Sequence, residues 1–329
     1  MDKKAVVLFS GGLDSILASR LMLEQQIEIK AVYFKSVFFT GNEPLLTAGN
    51  IGLELEVFDI SREHIRIVKS PRYGYGKNMN PCLDCRICML KKAAEYMEKT
   101  GASFLVTGEV LGERPMSQRK GAFNLIERVT GLKGMILRPL SARLLEPTVP
   151  EQNNIVNREK LLGIQGRSRN YQIDLAEQKR INEYPVPSGG CLLTDPGFSK
   201  RLKELLTGQS PEILDVQLLK YGRHFRLPNG LKVVIARNEK ENGHLFDLVE
   251  AQDMIFSLAD FKGPISIVKG RGDSDDLGWV KDVGALTARY SKARDKKEVR
   301  VKYYRVSKKI EEYISVAPRS AEELGIVRI

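Results

Sequence analysis

Residues 5–9, Ala5-Val6-Val7-Leu8-Phe9, form a continuous apolar run, and residues 15–22 then carry apolar side chains at helical spacing. A run without alternation suits a parallel strand covered on both faces, and the period of about 3.6 residues that follows marks a helix packed along one side. This pattern predicts a strand, a tight turn and a helix. It recurs: residues 29–34, 53–60 and 103–109 read as further strands with helical segments between them. Strands alternating with helices predict an α/β fold, a doubly wound, mostly parallel sheet joined by right-handed crossovers. Ligands of such sheets gather at the carboxyl ends of strands, where residues 10–15, Phe34-Lys35-Ser36 and Thr107-Gly108-Glu109 all fall.

The texture changes after a helix-like basic segment ends in Thr207-Gly208-Gln209-Ser210-Pro211. We therefore expect one domain over residues 1–207 and a smaller, basic α+β domain over 208–329. In the second, residues 219–238 read as a hairpin about Pro228-Asn229-Gly230, and Val299-Arg300-Val301-Lys302-Tyr303 alternates as a strand with one basic face. A chain of 329 residues with 42% apolar content can bury two cores, so disorder is excluded. The formal charge of +11 and pI near 9.4 favour a polyanionic partner. No apolar run reaches membrane-spanning length and the N-terminal residues lack signal-peptide character, so the expected location is the cytoplasm.

The first turn carries the chemistry. Ser10-Gly11-Gly12-Leu13-Asp14-Ser15 places two residues without Cβ between a strand and a helix N-terminus, so backbone amides and the positive dipole end are open to an anion. No GK[ST] follows, and the glycines do not space as GxGxxG, which excludes the two common nucleotide-loop motifs. Of four cysteines, three lie in one stretch, Cys82, Cys85 and Cys88, and the fourth is Cys191. That distribution excludes a disulfide scaffold and points to thiols converging on a metal or cluster, or to a reactive pair. The helical spacing of Ile87, Leu90, Ala94 and Met97 puts these cysteines at a helix N-terminus, where a thiolate is expected to be stabilised. Cys88 reads equally as a small core residue.

The hexapeptide at residues 10–15 resembles the pyrophosphate loop (PP-loop) of the ATP pyrophosphatase superfamily. Residues 107–118, Thr107-Gly108-Glu109-Val110-Leu111-Gly112-Glu113-Arg114-Pro115-Met116-Ser117-Gln118, are similar to a stretch of the tRNA 4-thiouridine synthetases. Asn80-Pro81-Cys82-Leu83-Asp84-Cys85, and Cys191 after Ser188-Gly189-Gly190, look like the two cysteine regions of the tRNA 2-thiouridylases. The resemblance implies ATP as substrate, adenylation of a uridine carbonyl oxygen in tRNA with loss of pyrophosphate, and sulfur transfer from a sulfide or persulfide donor. It implies catalytic roles for Asp14, Cys85 and Cys191, with Asp14 also positioning Mg2+. Ser10, Gly11, Gly12, Leu13, Asp14 and Ser15 would cradle the phosphates, Phe34 would line the adenine pocket beyond the second strand, and Gly108 would let backbone approach the nucleotide.

For the sulfur step two versions stand: Cys82, Cys85 and Cys191 ligating a [4Fe–4S] cluster, towards which the thiol at 82 tilts the reading, or a cysteine persulfide resolved by Cys191. A structural zinc is a third possibility, disfavoured because Cys191 is remote in sequence with no histidine near it. Cys88 has no counterpart in the resemblance. The two likenesses point to different carbonyls, O4 and O2, and leave the choice open; a homodimer is one assembly consistent with the sequence. Residues 215–285 resemble the RNA-binding domain of NFACT proteins through Arg237-Asn238-Glu239-Lys240-Glu241-Asn242, with Ala236 where that family has glycine. Arg167 and Arg169 sit in a glycine-flanked loop that either grips RNA backbone or is a solvated surface. The tail lysines and arginines, with Tyr303 and Tyr304 interleaved, suit phosphate contact and base stacking. His224 and His244 read as surface or packing residues, and the tripeptide at 271–273 as chance. The competing readings are an RNA-binding adaptor with a non-catalytic nucleotide fold, and a PP-loop enzyme acting on a small molecule.

Overall fold

The computed structural model describes residues 2–40, 44–185, 190–208, 211–270 and 277–329. Residues 186–189 before Cys191, residues 209–210 of the expected boundary and the tripeptide at 271–273 lie outside the described residues. The chain divides into two compact units, Met1–Asp195 and Pro196–Ile329. The division thus precedes the basic helix Pro196–Leu206, after which the sequence reading had placed it.

In the first unit the described elements run β1 (Lys4–Leu8), α1 (Leu13–Leu23), β2 (Glu28–Lys35), α2 (Pro44–Asn50), β3 (Leu55–Asp59), α3 (Ser61–Lys69), α4 (Cys82–Thr100), β4 (Phe104–Thr107), α5 (Lys120–Thr130), β5 (Ile136–Leu137), α6 (Val149–Gln152) and α7 (Asn170–Gln178). All pairings are parallel, in the order β3-β2-β1-β4-β5. The strand-helix reading is borne out, with element ends shifted by a residue or two. Central β1 shows why its sequence lacks alternation. Ala5 and Val7 pack on one side with Leu13 and Leu17 of α1 and Ala176 of α7. Val6 and Leu8 pack on the other with Ile87 and Leu90 of α4 and Ile126 of α5. Helices therefore cover both faces, as in a doubly wound sheet. Strand order reverses between β1 and β4, so the exits of these two strands flank the crevice where such sheets bind ligands.

The second unit contains α8 (Pro196–Leu206), α9 (Ile213–Leu218), β6 (Arg223–Arg226), β7 (Lys232–Ile235), α10 (Glu239–Phe246), β8 (Met254–Leu258), β9 (Ser266–Lys269), α11 (Leu277–Arg289), β10 (Val299–Arg305), β11 (Glu312–Val316) and β12 (Val327–Arg328). Its described strands form one antiparallel sheet in the order β11-β10-β8-β9-β7-β6-β12. The expected hairpin is β6-β7, with Leu227 N donating to Leu231 O at 2.9 Å across the Pro-Asn-Gly turn.

One expectation for this unit is corrected. β10 is paired on both sides, by β11 and β8. Its pleat turns Val299, Val301 and Tyr303 inward, and Tyr303, 2% exposed, stacks on Phe256 and donates its hydroxyl to Glu312 at 2.8 Å. Tyr303 is thus a core residue with no face free for a base, whereas Arg300, Lys302 and Tyr304 lie on the outer face. The Arg237–Asn242 stretch holds its own region together: Asn238 caps α10 by accepting from Glu241 N at 3.0 Å, and Asn242 bridges Gly263 O and Ile265 N. His224, 1% exposed and bonded to Tyr221 O, is a packing residue. Among the described residues no helix is long and apolar enough to cross a membrane.

Candidate functional site

The exit of β1 is built as the sequence suggests, with one refinement. Gly11 has φ +76°, a conformation that suits glycine, and a Cβ there would stand 3.0 Å from Pro44 Cα. Gly12 has φ −79° and is the N-cap of α1, so only Gly11 uses the left-handed region. The loop is knit from within: Ser15 Oγ donates to Gly12 O at 2.8 Å, and Ser10 N donates to Ser15 Oγ at 3.3 Å. Leu13 is buried in the core, so its contribution to the cradle is its backbone amide.

Gly108 lines the cavity, and a packing contact gives it a second reason to be glycine. A Cβ there would lie 2.6 Å from Asp14 C and 2.7 Å from Ser15 N, so Gly108 lets the exit of β4 press against the first turn of α1. Closing that gap seats the loop after β4 beside the cradle. Phe34 lies within β2 rather than beyond it, stacked on Phe58, with part of its surface on the cavity wall.

These elements enclose a cavity of about 470 Å³. Ser10, Gly12, Leu13, Asp14 and Ser15 line one part of it, and Cys82, Cys85 and Cys191 line another. Cys82 and Cys85 stand in the first turn of α4, whose Asp84 fastens the preceding loop by accepting from Arg72 N and Tyr73 N, both at 3.0 Å. Cys191 arrives by a backbone bridge to Phe39, with Thr40 N donating to Gly190 O at 3.1 Å and Leu192 N to Phe38 O at 2.9 Å. All four cysteines are free thiols. Cys88 is apart from the cavity lining, with Glu63 and Lys92 as its charged neighbours.

The expectation that the helix N-terminus would stabilise a thiolate is corrected. Burial, then the neighbouring Cys82 and Cys191, pushes the Cys85 thiol well above its ordinary value, and burial pushes Cys191 to about 11. Desolvation outweighs the dipole here. Among the described residues no three Cys, His, Asp or Glu side chains form a ready-made cage for one metal ion. Three unbridged thiols on one cavity, mutually repelling when ionised, do suit a cationic iron-sulfur cluster, which is larger than one ion and receives its thiolates at separate irons.

Sequence reasoning missed the charged frame. Arg86, four residues after Cys82 and hence on the same face of α4, lines the cavity and pairs with Glu109 at 2.7 Å. Glu109, 1% exposed, also takes Arg138 at 3.1 Å, and Arg138 continues to Glu127 at 2.7 Å. Burial would raise the Glu109 pKa, but Arg86 and Arg138 outweigh it and hold the carboxyl below its usual range. Gln118, 5% exposed, shapes the loop after β4 by accepting from Arg114 N at 2.9 Å. Arg169, expected either to grip RNA or to be solvated, lines this cavity and faces Asp14. Burial raises the pKa of Asp14 against the opposing charge of Arg169, and burial with Asp14 nearby raises that of Glu113.

A five-stranded parallel sheet of order 3-2-1-4-5 thus carries a glycine turn at the exit of its first strand, with thiols on the same cavity, the arrangement that the PP-loop resemblance implies. Residues 1–146 match the family described as thiamine biosynthesis protein (ThiI), and residues 222–326 match the NFACT protein RNA binding domain. The first unit is thus similar to the ThiI family over residues 1–146, and the second to the NFACT RNA binding domain over residues 222–326. Among curated relatives, the chain is 25% identical over 244 residues to the tRNA-specific 2-thiouridylase MnmA of Methylobacillus flagellatus, covering 69% of this chain and 64% of that one. It is 32% identical over 120 residues to a protein of Methanosarcina mazei named probable tRNA sulfurtransferase, covering 33% and 29% respectively. The chain thus spans less than two thirds of the length of these relatives. A solved 4-thiouridine synthetase–RNA complex with bound ATP aligns over 65% of this chain and 52% of that one, at 22% identity and a TM-score of 0.35.

Proposed function

We propose that the chain is an ATP-dependent tRNA thiolase: a uridine carbonyl oxygen attacks the α-phosphorus of ATP, pyrophosphate leaves, and a sulfur nucleophile then displaces AMP. The observation that carries this reading is the meeting of Ser10 and residues 12–15 with Cys82, Cys85 and Cys191 on one cavity. Adenylation makes a poor leaving group into a good one, and an enzyme that performs both steps needs phosphate cradle and thiols within reach of one substrate atom.

The amides and hydroxyls of residues 10–15 hold the β- and γ-phosphates as negative charge develops on them, and Asp14 would hold Mg2+, whose chemistry is neutralisation of the leaving pyrophosphate. Phe34 offers the adenine an apolar wall. Arg86, fixed by Glu109, presents a cation near Cys85 that offsets part of the burial raising its thiol. Cys82, Cys85 and Cys191 would hold a [4Fe–4S] cluster, and the chemistry such a cluster supplies is presentation of sulfide at an iron that no protein thiolate occupies. The outer face of β10 and the remainder of the basic second unit would grip tRNA phosphates.

The reading is tested by incubating purified full-length chain with ATP, unmodified tRNA and sulfide, anaerobically and after iron loading. Release of AMP that requires tRNA, and a thiouridine in the nucleoside mass spectrum, is expected. An RNA adaptor would bind tRNA without releasing AMP. Colourless, iron-free protein that thiolates tRNA from a persulfide donor would leave the ATP reading and replace the cluster by the persulfide route.

A further inference from the structure

Arg169 stands apart from the other cations of the site because it neutralises a group that the proposed chemistry needs elsewhere. It lies at the N-terminus of α7, outside the residues that match the ThiI family. Its segment is fixed across the cavity by a backbone bridge between Gln165 and Leu111, with Gly166 N donating to Leu111 O at 2.8 Å, so the side chain faces the cradle from a determined position. Its guanidinium is 3.7 Å from Asp14 Oδ2, beyond hydrogen-bonding reach. Among the described residues Arg169 Nε and Asp14 Oδ1 are each buried without a hydrogen-bond partner, with Gln172 and Arg114 the other polar groups beside the Asp14 carboxylate. Both side chains border the cavity, together with Arg114 and Glu113 from the loop after β4.

An arginine and a carboxylate that face each other at this separation satisfy charge but not hydrogen bonding. Each retains capacity for a third party. A triphosphate in the cradle fits that vacancy on the arginine side, since a guanidinium fork matches phosphate oxygens, and a divalent cation fits it on the Asp14 side.

We propose that Arg169 senses the phosphate chain: it holds Asp14 in a loose ion pair while the cradle is empty, and turns onto the β- and γ-phosphates when ATP enters, freeing Asp14 for the cation. This rests on the reading of the site as ATP-binding. Selectivity for ATP over AMP then comes partly from Arg169, because AMP lacks the phosphates that draw the guanidinium away from Asp14.

The test is calorimetric titration of the full-length chain with ATP and with AMP, each with and without Mg2+. For Arg169→Gln, the ratio of ATP to AMP affinity is expected to fall roughly tenfold to a hundredfold, the range of a lost charge-assisted contact. Arg169→Lys, which keeps the charge but loses the planar fork, should lower the ratio by less than Arg169→Gln does. Asp14→Asn should tighten metal-free ATP while reducing the gain from Mg2+. A ratio unchanged in Arg169→Gln, or ATP and AMP weakened alike, overturns the inference. A wild-type chain that binds no ATP overturns the proposed function itself.

Discussion

Replacing Gly108 by alanine isolates the contact that brings the cradle and the loop after β4 together. The added methyl would stand 2.6 Å from Asp14 C and 2.7 Å from both Asp14 O and Ser15 N. Carbon atoms in good contact lie about 3.5 to 4.0 Å apart, so the overlap is about 1 Å. No side chain can swing aside, because the obstacles are main-chain atoms of the first turn of α1. Overpacking of this kind costs about 1 to 3 kcal/mol, and rigid neighbours place Gly108→Ala near 3. With a urea dependence of roughly 2 kcal/mol per molar, the midpoint of the first unit should fall by about 1.5 M. Gly121→Ala is the control: it lies in α5 with nothing within 4 Å of the added methyl, and should be neutral or more stable by up to about 1 kcal/mol. Urea unfolding followed by far-UV circular dichroism reads both variants, and ATP titration should show weaker binding for Gly108→Ala alone. A Gly108→Ala midpoint equal to that of the wild type would refute the contact as the reason for the glycine.

Glu109→Gln removes the charge that holds Arg86 and Arg138 together in a buried setting, and should destabilise by about 3 kcal/mol in thermal or urea unfolding. Cys88→Ser should leave iron content and thiouridine yield within about twofold of wild type, whereas serine at 82, 85 or 191 abolishes both, since Cys88 is apart from the cavity lining; elemental analysis and nucleoside mass spectrometry check this. Burial pushes His64 to about 4, and burial with Lys232 pushes His224 to about 3. Unfolded histidine titrates near 6.5, so below that pH the unfolded chain takes up protons that the folded one refuses. The contribution is full above about pH 6.5 and is lost as pH falls towards 4, by up to about 1.4 kcal/mol per pH unit for each histidine. Stability measured across that window should flatten when His64 is replaced by phenylalanine. Tyr303→Phe removes the bond to Glu312 and should cost about 1 kcal/mol by thermal melting while tRNA affinity in a filter-binding assay is unchanged.

Much of this was legible in the chain because it rests on local periodicity. The unbroken apolar run of β1, the helical spacing after it and the glycine pair between them announce a both-face-covered strand and an anion-binding turn, and the cysteine spacing announces a shared thiol site. What periodicity reports is which face a residue occupies, not what covers that face. Tyr303 alternates correctly, yet whether its face is wet or buried depends on β11, α11 and β8 packing around it. The packing role of Gly108 was hidden because its nearest neighbour, the main chain of Asp14, comes from a strand exit almost a hundred residues earlier. Arg169 looks like any basic loop residue until the Leu111–Gln165 bridge turns it towards Asp14. The Cys85 thiol was expected to ionise readily from its helix position, and the depth of its burial, a tertiary property, reverses the sign.

The bridge from Cys191 to Phe39 imposes an order on biosynthesis. Cys85 and Cys191 are separated by about a hundred residues, which a ribosome adds in roughly 5 to 20 s. Throughout that interval the nascent chain carries two thiols of the three and the strand edge that will later receive the last. Under the proposed function, Cys82 and Cys85 stay reduced until the final thiol docks, and a cluster delivered earlier would be one protein ligand short.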